Sequence, residues 1–171
     1  MLDLKKTLAL ICFVSMSICG AMAAKVSVYW DKSADFTQFL TYAWAKGTPA
    51  SNPLIDQRII ANVDSELIAR GFKKVDAPEN ADLIVLYHAA VGTETELNPT
   101  SIAGWGWRWG DESIDKIPVG QLVVDIGEAK TRKLLWMGSA SDVLNEPEKN
   151  ADKLKEAVSD MFKQFPPSER K

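Results

Sequence analysis

The fold is decided by the stretch from Asp82 to Val91, which reads DLIVLYHAAV. Five consecutive residues, Leu83 to Tyr87, are apolar, so a strand here carries apolar side chains on both of its faces. Such a run is typical of a strand that lies in the middle of a sheet and is covered on both sides. We therefore predict that this segment is the central strand, and we assign the other elements around it.

The segments that precede the central strand predict two strands and a helix. Alternating apolar residues indicate a first strand over Val26 to Trp30 and a second over Leu40 to Trp44, with Leu40, Tyr42 and Trp44 on one face. Asn52-Pro53 begins a helix, because Asn can cap free amides and Pro is tolerated in the first turn. Gly71 is expected to end it. The predicted buried stripe of this helix is Ile55, Ile59, Ile60, Val63 and Leu67.

The segments that follow predict a hairpin and a second helix. Leu122 to Ile126 and Leu134 to Val143 are joined by a short polar connection, which favours antiparallel pairing. Helical apolar spacing extends from about Pro147 to Phe165, before Pro166-Pro167. We therefore predict an α+β fold. It is a two-layer sandwich, with a mostly antiparallel sheet, two helices packed on one face and a long aromatic-rich hairpin connection.

The first 23 residues have the layout of a cleavable signal peptide. A charged start with Lys5 and Lys6 precedes an apolar run of about 12 residues, whereas a membrane-spanning helix needs about 20. Ala21 and Ala23 supply the pattern that predicts cleavage after Ala23. We therefore expect residues 1–23 to be a signal peptide and residues 24–171 to be a single α+β domain. The expected location is the periplasm of a Gram-negative bacterium, with association to the outer membrane left open.

Both cysteines, Cys12 and Cys19, lie in this leader, so the released domain has neither disulfide nor thiol chemistry. Cys19 leaves one alternative open, a lipid-anchored outer-membrane lipoprotein. The bulky Ile18 before it is a poor match to the small residue that precedes a lipidated cysteine. Loss of the leader changes the formal net charge from −3 to −4. Nucleic-acid-binding proteins normally carry a basic surface, so that class of partner is excluded.

Several strings follow one another along the chain in a distinctive order. They are Tyr42-Ala43-Trp44, NPLIDQRI from Asn52, ELIARGF from Glu66, ADLIVLYH from Ala81, GQLVVDI from Gly120, LWMGSA from Leu135 and MFKQFPP from Met161. As a set they resemble the bacterial domain-of-unknown-function family 4136, over nearly the whole chain after residue 23. The resemblance implies an exported envelope protein, often lipid-anchored, without established catalysis.

The most unusual stretch is Gly104 to Gly110, which reads GWGWRWG and holds three of the six tryptophans. If this stretch is extended, Trp105, Trp107 and Trp109 point to one side and Arg108 points to the other. Indole rings can stack on sugars or lie at a lipid interface, and Arg108 could contact an anion. We predict that these four residues form a binding site for an envelope protein, a glycan or a membrane surface. Two alternatives are that the tryptophans cover an open face of the sheet, or that the stretch is a flexible loop.

His88 is the only histidine, at the end of the central strand. A metal or catalytic site needs further ligands or partners, and after the leader the chain has no second His or Cys. We therefore predict no metal, no cofactor and no enzyme activity, and we assign no chemistry to Asp125. The sequence predicts a non-catalytic binding or scaffold module of the envelope, of open oligomeric state. The alternative is an envelope hydrolase that uses His88 and a nearby carboxylate.

Overall fold

The computed structural model describes residues 24–50, 52–89, 120–144 and 151–166, together with the backbone of residues 95–96 and 116–117. The described helices are α1 (Pro53–Ala69) and α2 (Ala151–Lys163). The strands are β1 (Lys25–Trp30), β2 (Thr41–Trp44), β3 (Lys73–Lys74), β4 (Leu83–Ala89), β5 (Thr95–Glu96), β6 (Lys116–Ile117), β7 (Leu122–Glu128) and β8 (Leu134–Ser141). Short 3-10 helices occupy Phe36–Gln38 and Pro78–Asn80.

Six strands form one open sheet in the order β1-β8-β7-β4-β2-β3. The pairs β1 with β8, β8 with β7 and β7 with β4 are antiparallel, whereas β2 is parallel to both β4 and β3. The predicted α+β class with a mostly antiparallel sheet is therefore confirmed. β4 lies inside the sheet and all seven of its residues are buried, as its apolar run predicts.

One face of the sheet packs against both helices. The described core residues of α1 are Ile55, Ile59, Val63 and Leu67, and those of α2 are Leu154, Ala157, Val158, Met161 and Phe162. Burying the two apolar stripes against one sheet face removes most of their apolar surface from water, which is the main favourable contribution to folding. The sheet residues of the same core include Tyr42, Val85, Val124 and Trp136.

Both ends of α1 follow the predicted capping chemistry. The Asn52 side chain accepts a hydrogen bond from the backbone N–H of Leu54 at 2.9 Å. Gly71 has φ of 83°, a left-handed conformation that glycine adopts without a steric penalty. The helix therefore begins and ends where its capping residues predict.

Leu40 is one difference from the sequence prediction. It lies before β2 and is 55% exposed, whereas Tyr42 is fully buried. The backbone N–H groups of Leu40 and Thr41 both donate to the Asp82 carboxylate, at 2.9 and 3.0 Å. This carboxylate holds the chain at the start of β2, and Leu40 does not share the buried face of that strand.

Some sequence predictions lie outside the described residues. These are the leader over residues 1–23 with its cleavage site, the segment from Trp105 to Trp109, and the start of the last helix before Ala151. Within the part of the chain that the structure describes, neither helix has the length and apolarity required to cross a membrane.

Candidate functional site

The face of the sheet opposite the helices carries a buried polar cluster. Leu83, Val85 and Tyr87 belong to the core beneath the helices. Because side chains alternate along a strand, His88 lies on the opposite face. It is only 3% exposed. The single histidine is therefore held inside the molecule, near the end of the central strand.

Thr48 is fixed beside His88 by backbone hydrogen bonds. The Thr48 N–H donates to the Tyr87 carbonyl at 3.0 Å, and the Ala89 N–H donates to the Thr48 carbonyl at 3.0 Å. These bonds extend the parallel pairing of β2 and β4 by one bridge. They place the half-buried Thr48 hydroxyl 2.9 Å from Nδ1 of His88. The local backbone, rather than side-chain packing alone, thus positions the hydroxyl.

Gly47 makes this arrangement possible. A Cβ atom at this position would overlap the carbonyl oxygen of Tyr87. The backbone before Thr48 therefore lies directly against β4, an approach that only a residue without a side chain permits.

Asp125 faces the same cluster from β7. The register pairs Val123 with His88 and Asp125 with Leu86, so Asp125 is the diagonal neighbour of His88. Its Oδ2 lies 3.7 Å from Nε2 of His88, longer than a hydrogen bond. Its Oδ1 has no hydrogen-bond partner among the described residues. Asp125 is 9% exposed. The described residues therefore provide few interactions to offset the cost of removing its carboxyl group from water.

Burial changes the protonation of both groups, because it disfavours their charged forms. It lowers the pKa of His88 to about 4 and raises the pKa of Asp125 to about 7. Between these values the pair therefore binds one proton in total. A neutral imidazole with a hydroxyl on one side and a carboxyl group on the other is chemically able to move a proton between them.

Two other carboxylates have structural roles. Asp56 accepts hydrogen bonds from the Tyr87 hydroxyl at 2.6 Å and from the Ala50 N–H at 2.7 Å. Asp64 accepts from the Tyr42 hydroxyl and from Nε1 of Trp44, both at 2.8 Å, and also pairs with Lys74. Burial and the neighbouring carboxylates raise the pKa of both tyrosines, so they remain hydrogen-bond donors. These bonds connect α1 to β2 and β4.

The described residues contain no group of three or more His, Cys, Asp or Glu side chains able to hold a metal ion. The predicted binding residues Trp105, Trp107, Arg108 and Trp109 lie outside the described part of the chain. The connection that contains them begins and ends in a short antiparallel ladder, in which Thr95 pairs with Ile117 and Glu96 with Lys116. The predicted hairpin is thus present at its base.

Sequence reasoning missed the cluster because its members are distant along the chain. Asp125 was assigned no chemistry, and Thr48 was not singled out. A carboxyl group inside the otherwise apolar run LVVDI was the available signal, since buried carboxyl groups are rare unless paired. Its neighbour could be identified only from the register of β4 and β7.

Known proteins share this fold. The crystal structure of a DUF4136 family protein from Bacteroides thetaiotaomicron has a TM-score of 0.62 at 14% identity, over 85% of this chain and 97% of that one. A PDZ domain protein from Parabacteroides distasonis has a TM-score of 0.54 at 17% identity, over 84% of this chain and 36% of that one. At such identities the similarity shows the fold alone. No curated protein matches the sequence.

A sequence-family model extends the same relationship to nearly the whole domain. The model described as a domain of unknown function, DUF4136, matches residues 26–167. This span starts within β1 and continues past α2, so it includes every strand of the six-stranded sheet and both described helices. The resemblance found in the sequence is confirmed, and the chain belongs to the DUF4136 family of domains of unknown function.

Proposed function

We propose that this protein is an exported, non-catalytic binding module of the bacterial cell envelope. Export is supported by the charged, apolar and small-residue parts of the leader, which end at Ala23. The observation that carries the non-catalytic part is the burial of His88, the only histidine. A general base must reach a substrate proton, and a ring that is 3% exposed beneath its neighbours has no direct contact with solvent-borne substrates.

The binding surface that we propose is the run Trp105-Gly106-Trp107-Arg108-Trp109. In sequence it lies near the middle of the connection between β5 and β6, whose backbones pair at its base. Trp and Arg are both enriched at binding hot spots, and a Trp side chain buries a large area while its N–H can still make a polar contact. The partner classes are an envelope protein, a glycan and a membrane surface.

Replacement of Trp105, Trp107 and Trp109 by Ala in one variant tests this surface. We expect loss of binding to whichever probe the unmodified protein binds, among purified peptidoglycan fragments, anionic phospholipid vesicles and cross-linked envelope extract. The midpoint of urea unfolding should remain within error of the unmodified protein. A matched control replaces Leu54 and Ile68, two α1 side chains that are 61% and 57% exposed. Unfolding of the triple variant would instead place the tryptophans in the core and refute the proposal.

Cell fractionation with intact-mass analysis tests the export and the anchor. We expect a periplasmic protein whose first residue is Ala24. A mass that includes a lipid on Cys19 would contradict free release and support the lipoprotein alternative. Recovery of the whole chain in the cytoplasm would contradict export itself.

One observation favours the hydrolase as a second candidate. The structure brings a hydroxyl, an imidazole and a carboxyl group together, at 2.9 Å from Thr48 to Nδ1 and 3.7 Å from Nε2 to Asp125. This is the set of groups used in nucleophilic hydrolysis, although Thr48 is only half-buried while the other two are buried. Hydrolysis of ester or peptidoglycan substrates that is lost in both His88→Gln and Thr48→Val would support this candidate and contradict the non-catalytic one.

A further inference from the structure

Among the described residues, the edge strand β1 has no hydrogen-bonding partner on its outer side. The Asp31 N–H donates to the Leu135 carbonyl at 2.8 Å, and the register places these two residues opposite each other. Because hydrogen-bonding direction alternates along a strand, the backbones of Lys25, Ser27 and Tyr29 also point towards β8. The N–H and C=O groups of Val26, Val28 and Trp30 therefore point away from the sheet. No strand among the described residues lies on that side of β1.

The two edges of the sheet differ in how they are protected. The opposite edge is β3, which has only two residues, both of them exposed lysines. Short length and lysine side chains are common means by which proteins prevent edge pairing. β1 has six residues and carries a charge only at Lys25. Within the part of the chain that the structure describes, these protective features are therefore present at β3 and not at β1.

The described residues also leave apolar surface along β1 uncovered. Val26, Val28 and Trp30 pack against the core but are only partly buried, and Tyr29 on the other face is 59% exposed. A strand added to this edge would cover apolar atoms on both faces of the sheet. The edge therefore offers apolar burial in addition to backbone hydrogen bonds.

We propose that β1 pairs antiparallel with β1 of a second copy of this chain, about a twofold axis at Val28. In this register Val28 lies opposite Val28, and Val26 lies opposite Trp30. Each of these pairs exchanges two backbone hydrogen bonds, so the three outward-facing residues of each strand satisfy all their N–H and C=O groups. The two six-stranded sheets would then continue into each other. This inference does not depend on the proposed binding function.

Charge at the strand ends favours a second copy over an unrelated peptide. The same register places Lys25 of one copy opposite Asp31 of the other, at both ends of the pairing. Asp31 stays ionised because hydrogen bonds from Lys133 and Ser33 lower its pKa to about 2. Opposite charges directly across a strand pair are favourable, so they favour this register over its neighbours. A single pair of edge strands buries a small area compared with a standard protein interface. We therefore expect a weak dimer whose formation depends on concentration.

Mixed cysteine cross-linking tests the register. Ser27 and Tyr29 face each other across the proposed axis as a non-hydrogen-bonded pair, with Cα atoms about 4.5 Å apart, within disulfide range. Like residues are diagonal neighbours, about 7–8 Å apart, beyond that range. Cys12 and Cys19 are replaced by Ser throughout, so each chain has one introduced thiol. We expect at least tenfold more disulfide dimer from a mixture of Ser27→Cys and Tyr29→Cys than from either alone.

A control and two edge variants complete the test. Ser65→Cys lies on the exposed face of α1 and is the control. When it is mixed with either Ser27→Cys or Tyr29→Cys, it should form no more disulfide dimer than random collision produces. Val28→Pro removes an outward N–H group but no hydrogen bond to β8. Lys25→Glu places a negative charge opposite Asp31 of the other copy at both ends of the strand pair. Both should reduce association measured by sedimentation velocity. Equal cross-linking in all mixtures, dimers that persist in both edge variants, or a monomer at every concentration would each overturn the proposal.

Discussion

The buried pair of His88 and Asp125 makes a specific prediction about how stability depends on pH. The pKa of Asp125 is raised from 3.8 to about 7, so between these values the folded state holds a proton that the unfolded state has lost. This alone makes stability fall as pH rises. The pKa of His88 is lowered from 6.5 to about 4, so between those values the unfolded state holds the extra proton. This alone makes stability rise with pH.

The two effects oppose each other where their ranges overlap. Between about pH 4 and 6.5 the folded pair and the unfolded pair each hold one proton, so the pair contributes no net slope. Removal of either group should therefore reveal the effect of the other. In Asp125→Asn we expect the free energy of unfolding to gain a positive slope of about 1.4 kcal/mol per pH unit in this range. In His88→Gln we expect a negative slope of similar size.

The magnitude at higher pH follows from the same shift. The pKa of Asp125 in the folded state is about three units above its ordinary value. At pH 8, where the group is ionised, this shift lowers the free energy of unfolding by about 4 kcal/mol. An amide keeps part of the desolvation cost, so Asp125→Asn should stabilise the fold at pH 8 by about 2–4 kcal/mol. The gain should shrink towards zero near pH 4. This direction is unusual, since most substitutions at buried positions destabilise.

Urea unfolding followed by tryptophan fluorescence at pH 4.5, 5.5, 6.5 and 8 measures these slopes. Asp64→Asn is the matched control, because Asp64 accepts hydrogen bonds from Tyr42, Trp44 and Lys74. That substitution should destabilise the fold, since it weakens a satisfied carboxylate. Parallel curves for Asp125→Asn and the unmodified protein, or destabilisation of Asp125→Asn at pH 8, would refute the reasoning.

Two further predictions concern packing around β4. Gly47→Ala should reduce stability by roughly 2–4 kcal/mol in urea unfolding, because the new Cβ overlaps the Tyr87 carbonyl and displaces the segment that holds Thr48. An unchanged midpoint would mean that this backbone moves freely. Tyr87→Phe removes the hydroxyl that donates to Asp56 at 2.6 Å, and should reduce stability by about 1–2 kcal/mol. Tyr29→Phe, at a 59% exposed position, is the control and should have no measurable effect.

Local patterns predicted the main elements correctly because each was determined by nearby residues. The apolar run of β4, the Asn52 cap and the Gly71 terminus all involve interactions within a few positions along the chain. Leu40 was assigned to the wrong environment because a carboxylate 42 positions away, Asp82, holds its backbone N–H. The alternation of apolar and polar residues within a strand gives no information about a hydrogen bond to a residue so distant in sequence.

The candidate site was harder to predict for the same reason. His88 was visible as the only histidine, but Thr48 and Asp125 are 40 and 37 positions away along the chain. The sequence also did not distinguish a mixed sheet from an antiparallel one. The parallel placement of β2 beside β4 is what brings Thr48 next to His88.

The sequence by itself determined the central strand, the two helices and the family. These depend on short-range periodicity, capping and ordered strings of residues, all of which are present before the chain folds. The tertiary structure alone decided which polar groups meet and which strand lies at each edge of the described sheet. Strand order and register set both, and they arise from long-range burial of the sheet and helices rather than from any local preference.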